Sequence, residues 1–338
     1  MKAREGDLVE TCENLIFDVK GLVHPPSRVV AFIRYFPDER GIRARDGRSF
    51  GKVYSLSRRY ALLKDRFPEY LVYDPVFDET LCEVPTDKVW KHYEPVARLQ
   101  EMRSSKELDV HQSKTLHFAE LLKEAAGIPW NALGISGSIM VGLHTRESDI
   151  DPIVYGSKNC RKVYFALRSM FDAKHELVKP YTRKDLKTLF EFRSKDTETG
   201  FEDFLRTEER KVMQGKFIGT GYFVRFVKEW SEIAENYGDV RYKNMGNARI
   251  EARVVDYSES TFTPCTYKVE NVKPLEGFSI EGVTEITSFR GRFCEQARKD
   301  EIVVAAGKVE RVTDQRKKHE HYRLLVGGKP SDYIILKR

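Results

Sequence analysis

At 338 residues, with 41% hydrophobic and 12% aromatic side chains, the chain is long enough for two or three domains with real cores, which excludes a single small module and a disordered segment. Its 58 Lys and Arg against 52 Asp and Glu give a formal net charge of +6, a balance that suits a polyanionic partner without requiring one. Five cysteines, at 12, 82, 160, 265 and 294, show no Cys-x-x-Cys spacing, the charged stretch 1–7 has no apolar signal core, and no apolar run is long enough to span a bilayer; a disulfide framework, a zinc site and a membrane span are disfavoured, and a cytoplasmic setting is the expectation.

No internal repeat or low-complexity linker marks a boundary, and composition suggests blocks at 1–103, 104–240 and 241–338. In the first block, residues 15–17 and 28–35 read as strands. A Gly/Arg-rich turn follows at 41–51 and a helix at about 57–67, together a small α+β unit. Its Arg43, Arg45, Arg48, Arg58 and Arg59 could meet phosphates, although a solvated turn and an exposed helix face account for them more simply.

The second block opens on a helical pattern over 108–126, with apolar residues at 108, 116, 119, 121, 122 and 125, stopped by Gly127 and Pro129. Residues 133–136 read as a short buried strand. At Gly137 the chain must turn sharply, and Ser138 opens a short helical stretch over 139–143 whose free amides suit a phosphate. After a polar loop at 144–148 the segment 149–155 reads as a second strand, on which Asp149 and Asp151, two apart, share one face. Two neighbouring carboxylates repel unless a cation joins them, and hard oxygen ligands favour magnesium or manganese held together with substrate phosphates. Pro152 removes a ladder hydrogen bond and predicts that the strand is unpaired on one side there. A helix over 160–171, with Val163, Ala166, Leu167, Met170 and Phe171 on one face, should pack on the sheet.

Gly137-Ser138 followed by Asp149-Ile150-Asp151, on strand, turn, helix and strand, resembles the signature of the DNA polymerase β-like nucleotidyltransferase superfamily. That group includes CCA-adding enzymes, aminoglycoside nucleotidyltransferases and minimal archaeal nucleotidyltransferases. The resemblance covers about residues 106–180 and is carried by four residues. It implies that Gly137 and Ser138 hold the β and γ phosphates of a nucleoside triphosphate, that Asp149 and Asp151 hold divalent ions, and that a third acid on a later strand completes the metal cage and accepts the proton. Glu176, Glu251 and Asp256 are the candidates for that acid, and Glu251 is favoured because its strand is longer and alternates more clearly.

Further along, Thr182 can cap a helix through 192, residues 202–213 form another, and 222–237 is an aromatic-rich strand or helix. Arg210, Lys211, Lys216 and Arg225 cluster around Gly215, Gly219 and Gly221, as a triphosphate site or as plain glycine turns. From 241 the text becomes β-rich, with strands at 249–255, 266–272, 283–289, 302–312, 321–326 and 333–336, which predicts a small β-barrel or antiparallel sheet. Tyr257, Phe262, Tyr267, Phe289, Phe293 and Tyr322, among Arg290, Arg292, Arg298, Lys308 and Arg311, could stack and pair with single-stranded nucleic acid, although core packing is the commoner role of such aromatics. His319 and His321 read as a solvated hairpin tip rather than metal ligands.

The expected protein is therefore multi-domain α+β, a nucleotidyltransferase core with a β-barrel-like C-terminal domain. It would transfer a nucleoside monophosphate to a hydroxyl acceptor, RNA above all, with Mg2+ or Mn2+ as cofactor. The rival readings are an inactive RNA-binding protein on the same fold and a transferase acting on a protein or small-molecule hydroxyl.

Overall fold

The structure is a computed structural model, and it describes residues 1–277 and 282–337. The chain is mixed α+β, with several sheets. Strands β1 (Leu8–Thr11), β2 (Ile16–Val19), β3 (Arg28–Pro37), β4 (Arg43–Arg45) and β5 (Arg48–Lys52) lead to helix α1 (Leu56–Arg66), then to β6 (Leu71–Asp74), β7 (Glu79–Pro85) and β8 (Val89–Tyr93). They form one sheet in the order β4-β5-β3-β2-β1-β8, with β7 also on β3 and β6 on β7. Alternation along β3 explains its role: Val29, Ala31 and Ile33 join Val9, Phe17, Tyr70 and Val84 in a core of their own. Arg34 and Tyr35 lie at the end of that strand, where Tyr35 pairs with Lys52 of β5. Helix α1 starts at Leu56, one residue before the expected 57, with Ser55 as its N-cap accepting from the Arg58 amide.

Helices α2 (Pro95–Ser104) and α3 (Val110–Ala126) follow. Asp109 and Gln112 form a capping box at the start of α3, and Gly127 ends it in the left-handed conformation at φ 57°, which glycine adopts without strain. Next come β9 (Leu133–Ile135), the short helix α4 (Gly137–Met140), β10 (Pro152–Tyr155) and helix α5 (Ser157–Asp172). Pro152 is the first residue of β10 and lies opposite Ile135 of β9, a position where a missing amide is tolerated. After α5 run β11 (Val178–Lys179), α6 (Arg183–Arg193), α7 (Phe201–Glu208), β12 (Gln214–Phe217), β13 (Thr220–Phe223) and β14 (Arg225–Val227). Thr182 caps α6 in a capping box with Asp185. The expected helix over 202–213 stops at Glu208, and the glycines at 215, 219 and 221 belong to the hairpin of β12 and β13. Strand β10 pairs antiparallel with β9 and parallel with β14, the crossover to β14 running through α5, whose Cys160, Val163 and Leu167 are buried.

The last block holds β15 (Val240–Asp256), β16 (Cys265–Gly277), β17 (Val283–Ser288), β18 (Ile302–Asp314), β19 (His319–Leu325) and β20 (Tyr333–Leu336). Pairing runs β15-β16-β17-β19-β18 and returns to β15 through its long ladder with β18, so the sheet is curled into a half-barrel with β20 on its edge. Strands β17 and β19 are parallel. One hydrophobic cluster joins this sheet to the middle of the chain: Ile250, Val303 and Leu324 pack with Phe118, Ile135, Val154 and Phe226. Phe262, Tyr267 and Phe293 lie in that core, which takes them out of the set available to stack bases. An ion pair and a ring stack join the half-barrel to the first sheet and its β6–β7 turn, where Lys308 meets Glu79 at 2.6 Å and Phe77 stacks on Tyr242. Among the described residues no helix is long and apolar enough to cross a membrane, and all five cysteines are free.

Candidate functional site

Asp149 and Asp151 are delivered by a loop and the start of β10. Ile150, between them, is buried, and it bridges to Tyr222 of β13, so the two carboxylates are sent to the opposite side from the core. Two glycines make room for them. Gly137 has φ +68°, and a Cβ placed on it would lie 2.1 Å from Asp151 Oδ2. A Cβ on Gly221 would lie 2.5 Å from Asp149 Oδ1 and 3.1 Å from the Tyr181 hydroxyl, so this side of Asp149 is walled by bare backbone. Ser138 follows in α4 and is buried, its carbonyl accepting from the Leu143 amide.

The first sheet supplies the opposite wall. Arg43, the first residue of β4, reaches the Leu143 carbonyl and the Ser148 hydroxyl, while Ser148 accepts from the Thr145 amide. This clamps the loop that leads into Asp149. Ser136 donates to the Gly6 carbonyl at 2.6 Å, and Arg225 meets the fully buried Glu5 at 2.6 Å, fixing both flanks of the aspartate pair to the N-terminal segment. Glu5 also accepts from Lys20 and from the Gly21 amide, each at 2.9 Å.

Loss of bulk water raises the Asp149 carboxyl above the usual aspartate range, against the pull of Lys52 and Arg193. The same cause raises Asp151, and the charge of Asp149 adds to it, with Arg225, Lys52 and Arg34 opposing. Lys52 is pushed down to about 7, first by burial and then by Arg34 and Arg43. None of the side chains of Asp149, Asp151, Arg34 and Lys52 makes a hydrogen bond or an ion pair among the described residues. Two acids and two cations thus face one another at a distance, each in need of a partner of opposite charge.

Asp149, Arg34 and Lys52 line one large cavity of about 1980 Å3 between the first sheet, the middle of the chain and the half-barrel. Arg58, Lys195 and Arg225 line it as well, as do Arg290 and Arg292, which both pair with Asp196.

The fold does not bring Glu251 to the aspartates. It sits on β15 beside Ile250 and Ala252, which are in the core, so period two turns it to the outer face, where Lys337 holds it at 2.7 Å. Asp256 caps the Ser258 amide at the far end of that strand, and Glu176 is exposed in the loop before β11. The strand segment beside the pair carries Gly221, Phe223 and Arg225, and no group of three or more acid, histidine or cysteine side chains suited to a metal occurs among the described residues. The basic cluster expected around the glycines is consumed internally: Arg210 binds Glu301, Lys211 binds Glu208 and Lys216 binds Asp185. Arg34, Lys52 and Tyr181 escaped the sequence reading, because each lies outside the strand–turn–helix–strand segment that carries the aspartates and meets them only through the fold. The Gly/Arg-rich turn at 41–51 was the available signal for Arg43 and Lys52.

No known family profile matches the chain. No solved structure matches it either. Over 350 aligned positions that span the whole of both chains it is 33% identical to Uncharacterized protein MJ1086 of Methanocaldococcus jannaschii, and it belongs to the same family as that protein.

Proposed function

We propose that this chain is a metal-dependent nucleotidyltransferase that moves a nucleoside monophosphate from a nucleoside triphosphate to a hydroxyl acceptor, RNA being favoured, in the cytoplasm. The observation that carries the reading is that Asp149, with Asp151 beside it, shares one cavity with Lys52, whose charge acts on both carboxylates, and Arg34, whose charge acts on Asp151, none of the four side chains being hydrogen-bonded or ion-paired among the described residues. A triphosphate with a divalent cation satisfies both halves at once: phosphate oxygens meet the cations, and the carboxylates meet the metal. The residues fit such an ion, since Asp149 and Asp151 are neighbouring carboxylates, Asp151 raised by burial and by the charge of Asp149, and together form a hard-oxygen donor pair that a cation would relieve. A bound magnesium or manganese would supply charge neutralisation at the reacting phosphate.

The chain's own groups do the rest. Asp149 and Asp151 orient the donor, and Gly137 lets the backbone approach closely beside Ser138. Arg34 and Lys52 stabilise charge that grows on the leaving pyrophosphate as the acceptor oxygen, its proton passing to solvent, bonds to the α-phosphorus and the bond to pyrophosphate breaks. The basic walls of the cavity, Arg58 and Lys195 among them, suit an acceptor strand.

A second reading has its own support. With Gly221, Phe223 and Arg225 in the strand beside the pair, and Glu251 on another sheet, no third carboxylate stands ready to take the acceptor proton. That favours an RNA-binding protein that holds nucleotide without turnover. Incubating the protein with magnesium or manganese, each α-labelled nucleoside triphosphate and total cellular RNA, beside Asp149→Ala/Asp151→Ala, separates the two. Label in RNA only with intact aspartates is expected. Retained RNA with no label would establish the second reading, and label on the protein itself would redirect the activity to a protein hydroxyl.

A further inference from the structure

Beside the charged groups, the cavity holds an aromatic pair that nothing in the fold requires. Tyr54 and Phe192 are 46% and 47% exposed. Among the described residues they are the large exposed apolar side chains that line the cavity. The two rings meet edge to face, centroids 5.5 Å apart at 84°. They come from different parts of the chain: Tyr54 follows β5, and Phe192 stands near the end of α6. Neither contributes to a core cluster, so their contact is not the by-product of burying a hydrophobic face.

The neighbours of the pair define what would sit on it. Lys52, two residues before Tyr54, holds its ammonium 4.8 Å from the Tyr54 ring centroid, and the Arg34 guanidinium is 5.8 Å from the same centroid. These are the same two cations whose charge acts on Asp151, so the aromatic pair and the acid pair flank one patch of unpaired positive charge. The platform is held in place. Arg193, next to Phe192, is tied to Glu208 at 2.8 Å and to Gln214 at 3.1 Å, and Ser55, next to Tyr54, caps α1. A planar aromatic group joined to phosphates matches this order of features; an aliphatic or purely anionic ligand leaves the rings unused.

We infer that Tyr54 and Phe192 form a stacking platform for a nucleobase whose phosphates lie against Arg34 and Lys52. The inference rests on the proposed nucleotide site and names its base-holding part. The base could belong to the triphosphate donor or to the terminal nucleotide of an acceptor strand, since both present the same planar face.

The test measures dissociation constants in the presence of magnesium for the four nucleoside triphosphates, for ribose 5-triphosphate, which lacks a base, and for a short single-stranded oligoribonucleotide. The proteins compared are the wild type, Tyr54→Ala, Phe192→Ala, Tyr54→Phe and Lys52→Ala. Loss of one stacking partner should weaken base-bearing ligands roughly tenfold or more, leave ribose 5-triphosphate unchanged, and be reversed in Tyr54→Phe. Weakening confined to triphosphates assigns the platform to the donor, and weakening confined to the oligonucleotide assigns it to the acceptor; either upholds the inference. Base-bearing ligands that bind Tyr54→Ala and Phe192→Ala as tightly as wild type, or that weaken in step with ribose 5-triphosphate, overturn it. If ribose 5-triphosphate fails to bind the wild type and Lys52→Ala changes nothing, the triphosphate reading falls, while the oligonucleotide arm still decides the platform.

Discussion

Gly137 and Asp151 are in such close contact that a methyl group on the glycine would lie 2.1 Å from the carboxylate oxygen. The contact brings the turn after β9 against the acid that opens β10, and it exists only because residue 137 combines φ +68° with no side chain. Gly137→Ala therefore faces two penalties, backbone strain and a clash, and should lose about 1–3 kcal/mol of stability together with nucleotide binding. Gly221→Ala has no positive φ to strain it and meets only crowding from the ends of two side chains, Asp149 Oδ1 at 2.5 Å and the Tyr181 hydroxyl at 3.1 Å. It should fold with nearly wild-type stability while binding nucleotide more weakly, as urea denaturation and nucleotide titration of both variants will show.

Asp151 has a folded-state pKa raised above the ordinary 3.8, by burial and by Asp149. Ionising it costs the native state more than the unfolded one, so its contribution to stability is most favourable in acid and declines as pH rises above that value. Measured against Asp151→Asn, the wild type should be comparably stable near pH 3 and less stable near pH 7, and magnesium with a nucleoside triphosphate should close the gap. A thermal melting series with no pH-dependent difference between the two proteins would contradict this.

Lys52 is poised near neutrality, at about 7. Phosphate ligands should lose affinity as pH rises through 7, when the ammonium gives up its proton, and Lys52→Arg should flatten that dependence because guanidinium stays charged. For stability the depressed value works the other way: the cost of the buried ammonium is full below 7 and is relieved as pH climbs from 7 towards 10.5, an effect absent from Lys52→Met. Isothermal titration with tripolyphosphate between pH 6 and 8.5 reads the first effect, and melting curves read the second.

Glu5 is fully buried and joins Arg225, Lys20 and the Gly21 amide. Glu5→Ala removes the nearest partner of Arg225, leaving it Asp18 at 3.9 Å, and should cost about 2–3 kcal/mol, more than an exposed pair such as Arg183–Glu202, whose loss should be within about 1 kcal/mol. Chemical denaturation of the two variants provides the comparison.

Glu251, on the outer face of β15, should be dispensable. Glu251→Gln is expected to bind magnesium and nucleoside triphosphate as the wild type does, whereas Asp149→Asn should not. A loss of metal or nucleotide binding in Glu251→Gln would mean that the half-barrel contributes to the site after all.

Much of the local structure was legible in the sequence, because it depends on neighbours along the chain. Periodicity, Gly127 and the Thr182 cap marked α3 and α6, alternation and turn residues marked the C-terminal strands, and the spacing of Asp149 and Asp151 placed them on one face. The surroundings of that pair were not legible. Period two in β15 is equally satisfied with Glu251 facing either way, and only the packing of Ile250 and Ala252 against Val154 and Phe226 turns it outward. The cations that face the aspartates come from β3 and β5, roughly a hundred residues before Asp149 and Asp151, and their isolation from ion-pair partners is a property of the cavity rather than of any segment. The sequence by itself determined the elements and the acid pair; the tertiary structure decided which charges and rings surround it, because long-range contacts are set by how hydrophobic faces bury against one another and leave no local trace in the order of residues.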